Sequence, residues 1–103
     1  MKFLVLQWIK PQVPISRLSS LTPAQFKYLA NLESQGEIEK YYHLIGQQGH
    51  MVICNVESDE ELSRIISEDP LFFDSERKIY PLTTREIHEK RLLEMLGRKQ
   101  TPK

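Results

Sequence analysis

The segment from Phe3 to Ile9, FLVLQWI, constrains the fold more than any other part of the chain. It is dense in β-forming residues, and both alternating faces are apolar: Phe3, Val5 and Ile9 on one, Leu4, Leu6 and Trp8 on the other. A strand of that kind is normally buried on both sides. The chain has only 103 residues, which means one domain with a thin core. One layer of its own helices covers one side of a sheet. The other side then calls for a second copy, so a homodimer, or a higher oligomer built from dimers, is expected.

Lys10 to Ser20, with Pro11 and Pro14, reads as a loop. In TPAQ, Thr22 is an N-cap, Pro23 a first helical residue and Gln25 the capping-box partner. Tyr28, Leu29 and Leu32 continue that helix with an apolar stripe, and Gly36 ends it. Ile38 to Ile45 and His50 to Val56 read as strands joined by GQQG, a hairpin signal. SDEE, from Ser58 to Glu61, caps a short acidic helix that buries Leu62, Ile65 and Ile66 and stops at Pro70. Glu76 to Leu82 is a short edge strand. TTRE, from Thr83 to Glu86, opens a last helix over Thr84 to Leu96, which Gly97 ends.

The order β-α-β-β-α-β is the ferredoxin-like split βαβ pattern of the α+β class. Right-handed crossovers place strands one and three centrally in an antiparallel four-stranded sheet, with both main helices on one face. Residues 1–82 form this domain, and 83–103 a C-terminal helix and tail, with the end RKQTPK read as disordered. A free helix of about 13 residues is marginal in water. Ile87, Leu92, Leu93, Met95 and Leu96 therefore need a surface, either on a neighbouring subunit or along the chain's own helices.

Fourteen basic residues balance fourteen acidic ones, so no global field draws the chain to nucleic acid or to an anionic membrane. Its apolar runs fall short of the ~20 residues of a membrane span. MKFLVLQWIK is too short, and wrongly flanked, for a signal peptide. Cys54 is the single cysteine, which fits a reducing compartment such as the cytoplasm.

Pairing Ile45 with His50 sets His43 opposite Val52 and gathers Glu39, Tyr41, His43, His50 and Cys54 on one face. The two histidines are then diagonal neighbours, ~5.5–8 Å apart. Histidine exchanges protons near neutral pH, and a neighbouring Tyr41 or Glu39 can orient it. His43, His50, Tyr41 and Glu39 are thus the acid–base candidates, provided the register holds. The plainer reading makes them polar residues at a strand end or subunit interface. The opposite face carries Ile38, Lys40, Tyr42, Leu44, Met51, Ile53 and Asn55. There Lys40 and Tyr42 could hold a planar acid, or the face packs in a dimer with Lys40 reaching solvent. No third ligand completes a metal site, and Cys54 reads as a small core residue, so neither metal nor cofactor is expected.

Gln35-Gly36, Gly46, Val56-Glu57-Ser58, Glu61-Leu62, Pro70-Leu71-Phe72 and Pro81-Leu82 follow one another without a gap. In these segments the chain resembles the muconolactone isomerase family, small dimeric α+β barrels that assemble into larger rings. The resemblance runs well over residues 35–82 and loosely over the first strand and helix. It implies a small-molecule pocket and a cofactor-free proton shift on a cyclic or aromatic-derived metabolite. Lys40, Tyr42, Trp8 and Phe72 are the candidate substrate contacts, with PLFF closing the pocket rim or plugging the core. Leu4 and Leu6 stand where the isomerases carry His and Arg, and Trp8 where they carry an acid. Ala24, Gln25 and Phe26 replace Arg-Glu-Lys, Lys40 replaces a His, and His43 an Arg. The substrate is therefore expected to differ from muconolactone. Two other classes stay open: a non-catalytic oligomeric ligand-binding or assembly module, and a cofactor-free oxygenase or dehydratase by fold analogy. A pocket of ~300 Å³ or more, with His43 or Lys40 on its wall, separates chemistry from a filled module.

Overall fold

Strand β1, Lys2–Ile9, lies inside a four-stranded antiparallel sheet, as its two apolar faces require. The computed structural model describes residues 1–100, with side chains through Arg98. Helix α1 (Ile15–Ser34) leads to the hairpin β2 (Ile38–His43) and β3 (Gly49–Asn55). Helix α2 (Asp59–Ser67), a 3-10 turn (Phe72–Asp74), β4 (Ser75–Leu82) and α3 (Arg85–Gln100) complete the chain. The strand order β2-β3-β1-β4 puts β1 and β3 in the centre, the ferredoxin-like arrangement that the element order predicts.

Alternation along each strand sorts the sheet into two faces. On one, Val5, Val52 and Cys54 pack with Ile38 against Leu29 and Leu32 of α1 and Leu62 and Ile65 of α2. Full burial of such side chains contributes about 1.5–3 kcal/mol each. The other face carries Leu4 and Leu6 of β1 with Met51 and Ile53 of β3, all half-buried. Exposed Tyr42, Tyr80 and Leu82 flank them on the outer strands.

Local departures from the sequence reading have identifiable causes. Helix α1 starts at Ile15, directly after Pro14, and Pro23 lies inside it. Its TPAQ segment caps nothing, because the Gln25 side chain is committed to Asp69 in the core. Glu39 sits in a register shift between Ile38 and Lys40, which turns Ile38 to the helix side with Cys54. The hairpin closes where the Leu44 N–H donates to the Gly49 carbonyl at 3.0 Å, with Gly46 in the left-handed region at φ +82. His43 consequently faces His50, two residues from the expected partner Val52. A two-residue slip preserves which face each side chain takes.

Ser58 caps α2 as expected, its Oγ accepting from the Glu61 N–H at 3.1 Å. Thr84, one residue after the expected Thr83, caps α3 through the Ile87 N–H at 3.2 Å. Helix α3 continues through Gly97, whose φ is not positive, so it does not end there. Every residue from Arg85 to Arg98 is exposed, so the helix does not pack back along α1 or α2. Residues 101–103 of the tail read as disordered lie outside the described residues.

Candidate functional site

The register assembles a polar row across all four strands on the helix side of the sheet. His43 pairs with His50, His50 with Gln7, and Gln7 with Arg77. The next row inward is Tyr41, Val52, Val5 and Ile79. The apolar core therefore ends in a line of hydrogen-bonding groups at one rim.

Asp69 organises that rim. It lies just past the Glu68 C-cap of α2, before Pro70, and is only 7% exposed. Its carboxylate accepts from Gln7 Nε2 at 3.1 Å and from Gln25 Nε2 at 3.1 Å to both oxygens. The Leu71 N–H donates to Oδ1 at 2.8 Å, an Asx turn that reverses the chain after α2. Gln7 is saturated as well: its Oε1 accepts from Arg77 Nε at 3.3 Å and its Nε2 also reaches Ser75 Oγ at 3.4 Å. A buried carboxylate is tolerable only with such complete pairing.

The PLFF segment divides its work accordingly. Leu71 is buried and lines the cleft described below. Phe72 lies under the Arg77 guanidinium, 4.7 Å from ring centroid to Cζ. Its carbonyl accepts from Arg77 Nη2 at 2.9 Å. Phe73 points to solvent.

Above the polar row lies a cleft enclosing about 70 Å³. Its walls come from β1, α1 (Thr22, Gln25 and Phe26), the β2–β3 hairpin and the start of β4. A shallow groove of about 570 Å³ beside the first half of α1 shares Thr22, Phe26 and Gln48 with it. The enclosed part falls well below the ~300 Å³ that a metabolite pocket usually needs. Gly49 forms one edge, and a Cβ there would lie 2.5 Å from the Gln7 carbonyl oxygen. Glycine thus lets β1 and β3 meet at the cleft.

His50 is the most enclosed titratable side chain on the wall, 5% exposed. Among the described residues nothing hydrogen-bonds its ring nitrogens; its contact is the Tyr41 ring, 5.8 Å between centroids. Burial pushes the imidazole below the ordinary histidine value, Asp69 partly opposes this, and His43 adds to it. At neutral pH His50 is therefore an uncharged base facing the cleft. His43, exposed at the mouth, bonds the Tyr41 hydroxyl at 3.2 Å and meets Phe26 edge-on at 5.3 Å. Burial, with Asp69 and Glu33, raises the Tyr41 phenol above its usual value.

The other sequence candidates lie elsewhere. Glu39 is drawn off by the register shift and pairs with Lys2 at 3.2 Å. Lys40 and Tyr42 belong to the open face. Trp8 borders the cleft while its indole N–H donates to Glu76 at 3.2 Å. Phe72 packs behind the rim, and Leu71 takes the lining position. Leu4 and Leu6 are on the open face, whereas Gln25 and Phe26 line the cleft. Cys54, fully buried with its thiol pushed up to about 11 by burial, is core. Among the described residues no group of three or more His, Cys, Asp or Glu is placed to hold a metal ion. Among the described residues no helix is long and apolar enough to cross a membrane.

Gln7, Gln25, Asp69 and Ser75 escape a sequence reading because they come from β1, α1, the end of α2 and β4. One signal was legible: Gln7 is the one polar residue within the apolar run Phe3–Ile9.

No match is found among curated proteins. The fold is similar to the crystal structure of muconolactone isomerase, at TM-score 0.72 and 18% identity over 82% of this chain and 91% of that one. It is also similar to 5-chloro-2-hydroxyhydroquinone dehydrochlorinase from Burkholderia phenoliruptrix, solved in complex with 2,5-dihydroxybenzoquinone. That likeness has TM-score 0.69 and 17% identity over 84% of this chain and 98% of the other. The family model described as Muconolactone delta-isomerase matches residues 1–87, ending in the first turn of α3. With its match spanning the whole sheet and both packed helices, the chain belongs to the muconolactone delta-isomerase family.

Proposed function

We propose that the chain shifts a proton on a small cyclic metabolite, with His50 as the base. The observation that carries this reading is a nearly sealed, uncharged imidazole on the cleft wall whose nitrogens bond no group among the described residues. His50 takes a proton from a ring carbon beside a carbonyl, and the electron pair stays on the ligand as an enolate. The Ser75 hydroxyl can donate to the developing oxyanion. Asp69 stabilises the imidazolium formed. The same proton, or one relayed through His43, returns at a second carbon, so a double bond moves with no redox partner or cofactor. Family membership supports the reaction class, and the dehydrochlorinase complex shows that a similar fold binds a ring. The replaced side chains at Gln25 and Phe26 support a substrate other than muconolactone, with little turnover of muconolactone itself.

The test is deuterium uptake from D₂O into a panel of lactones and hydroxylated rings, followed by NMR. General-base removal costs about 10²–10⁴-fold, so His50→Gln should lose exchange by that factor with its circular dichroism unchanged. Undiminished exchange in a folded His50→Gln protein overturns the assignment.

The small enclosed volume favours a second reading, a ligand-binding or assembly module without turnover. It predicts ligand-induced thermal shifts without exchange. In both readings a second copy covers the open apolar face, and α3 serves as an arm across the neighbouring subunit. Light scattering at micromolar concentration then shows a dimer or a multiple of it, and removing residues 84–103 weakens the assembly. A folded monomer under those conditions removes this proposal.

A further inference from the structure

We infer that the cleft selects uncharged, hydroxylated rings and rejects carboxylates of the same size. This rests on reading the cleft as a small-molecule site and adds the class of molecule it takes. Among the described residues no lysine or arginine lines it. Two cations adjoining cleft-lining residues in sequence or register, Arg77 beside Gln7 and Lys10 after Ile9, are committed to carbonyl groups of the chain. Arg77 holds Gln7 Oε1 and the Phe72 carbonyl, and Lys10 Nζ donates to the Phe73 carbonyl at 3.1 Å.

What the wall does offer is neutral. Both Gln25 Nε2 contacts go to Asp69, which leaves Gln25 Oε1 as an acceptor on the cleft side. Ser75 Oγ accepts from Gln7, so its own proton is available to a ligand. A neutral His50 ring presents one donor and one acceptor. Hydroxyl and carbonyl groups on a ring match this set in both directions.

Behind the wall stands a negative charge. The Asp69 carboxylate touches both Gln7 and Gln25, so it lies one side chain away from any bound ligand. A ligand carboxylate would surrender its water, find no cation, and face that charge across a poorly screened interior. A hydroxyl suffers none of these penalties. The missing cation is thus a selectivity element as much as the groups that are present.

Two probes, with the Gln48→Arg reversal as the control for size, separate the outcomes: resorcinol, which is neutral, and 3-hydroxybenzoate, in which a carboxylate takes the place of one hydroxyl. Nitrogen–proton correlation spectra at pH 7.5 should show resorcinol shifting the Gln25, His50 and Ser75 amides, with 3-hydroxybenzoate binding about tenfold or more weakly. Gln48, exposed at the cleft mouth, is the site for a reversal: Gln48→Arg should strengthen 3-hydroxybenzoate about tenfold and leave resorcinol within about twofold. Equal or tighter binding of 3-hydroxybenzoate to the wild-type cleft overturns the selectivity while the site itself stands. Absence of both probes from the cleft overturns the small-molecule reading and this inference with it.

Discussion

The two faces of one sheet are finished in different ways. On the helix side, apolar rows are covered by α1 and α2, and in the polar last row Gln7 and Arg77 are paired inside the chain while His50 is left facing the cleft. On the open side, Leu4, Leu6, Met51 and Ile53 form an apolar centre flanked by Lys40, Tyr42, Lys78 and Tyr80, and no helix among the described residues covers it. The same strand, β1, serves both faces. The contrast teaches that a chain this short can complete one apolar surface and one buried polar network alone. The second apolar surface it leaves open is what supports the proposal of a second copy there.

The sharpest way to break that contrast is to place the same charge on either side of β1. Val5→Asp puts a carboxylate among Leu29, Val52 and Ile65 and should unfold the chain, since an unpaired buried charge costs several kcal/mol. Leu6→Asp should keep the native circular dichroism but abolish self-association in light scattering. If Leu6→Asp unfolds as Val5→Asp does, the open face belongs to the chain's own core and the contrast is wrong.

A smaller effect compares a buried carboxylate with an exposed one. Asp69→Ala strands the donors of Gln7, Gln25 and Leu71, and each orphaned buried donor costs about 1–3 kcal/mol. A loss of about 3 kcal/mol or more in urea unfolding is expected. Glu39→Ala removes only a surface pair with Lys2 and should change stability by less than about 1 kcal/mol. Comparable losses in the two variants would show that the rim network adds little.

The smallest effect is one of pH. His50 titrates below the ordinary histidine value of 6.5 when folded, through burial, with Asp69 opposing and His43 reinforcing. Between that value and 6.5 the unfolded chain binds more protons, so stability rises with pH across the window. The contribution is fully present above pH 6.5 and is lost as pH falls through the folded value. Subtracting the His50→Gln profile isolates it from His43, Tyr41 and Asp69, which face the same ring. A flat difference below pH 6.5 would mean that burial does not disfavour the imidazolium.

Much of this architecture was legible from local pattern. Phe3–Ile9 demanded a central strand, Ser58 with Glu61 marked the start of α2, and Gly36 with φ +82 marked the end of α1. Alternation alone put Tyr41, His43 and His50 on one face, and that placement survived a two-residue slip because parity was kept. Glu39 did not survive, because one extra residue in β2 reverses parity before it. The start of α1 was missed because its capping signature was real in sequence but used elsewhere in space.

By itself, then, the sequence determined the order of elements, the central place of β1 and the surplus of apolar surface. These follow from periodicity and capping, which act within a few residues. Only the tertiary structure decided which side of the sheet carries the cleft, that Asp69 anchors it, and that Gln7, Gln25 and Ser75 meet there. The reason is physical: a buried carboxylate must collect its donors wherever the fold brings them, here from positions 44 and 62 residues away along the chain.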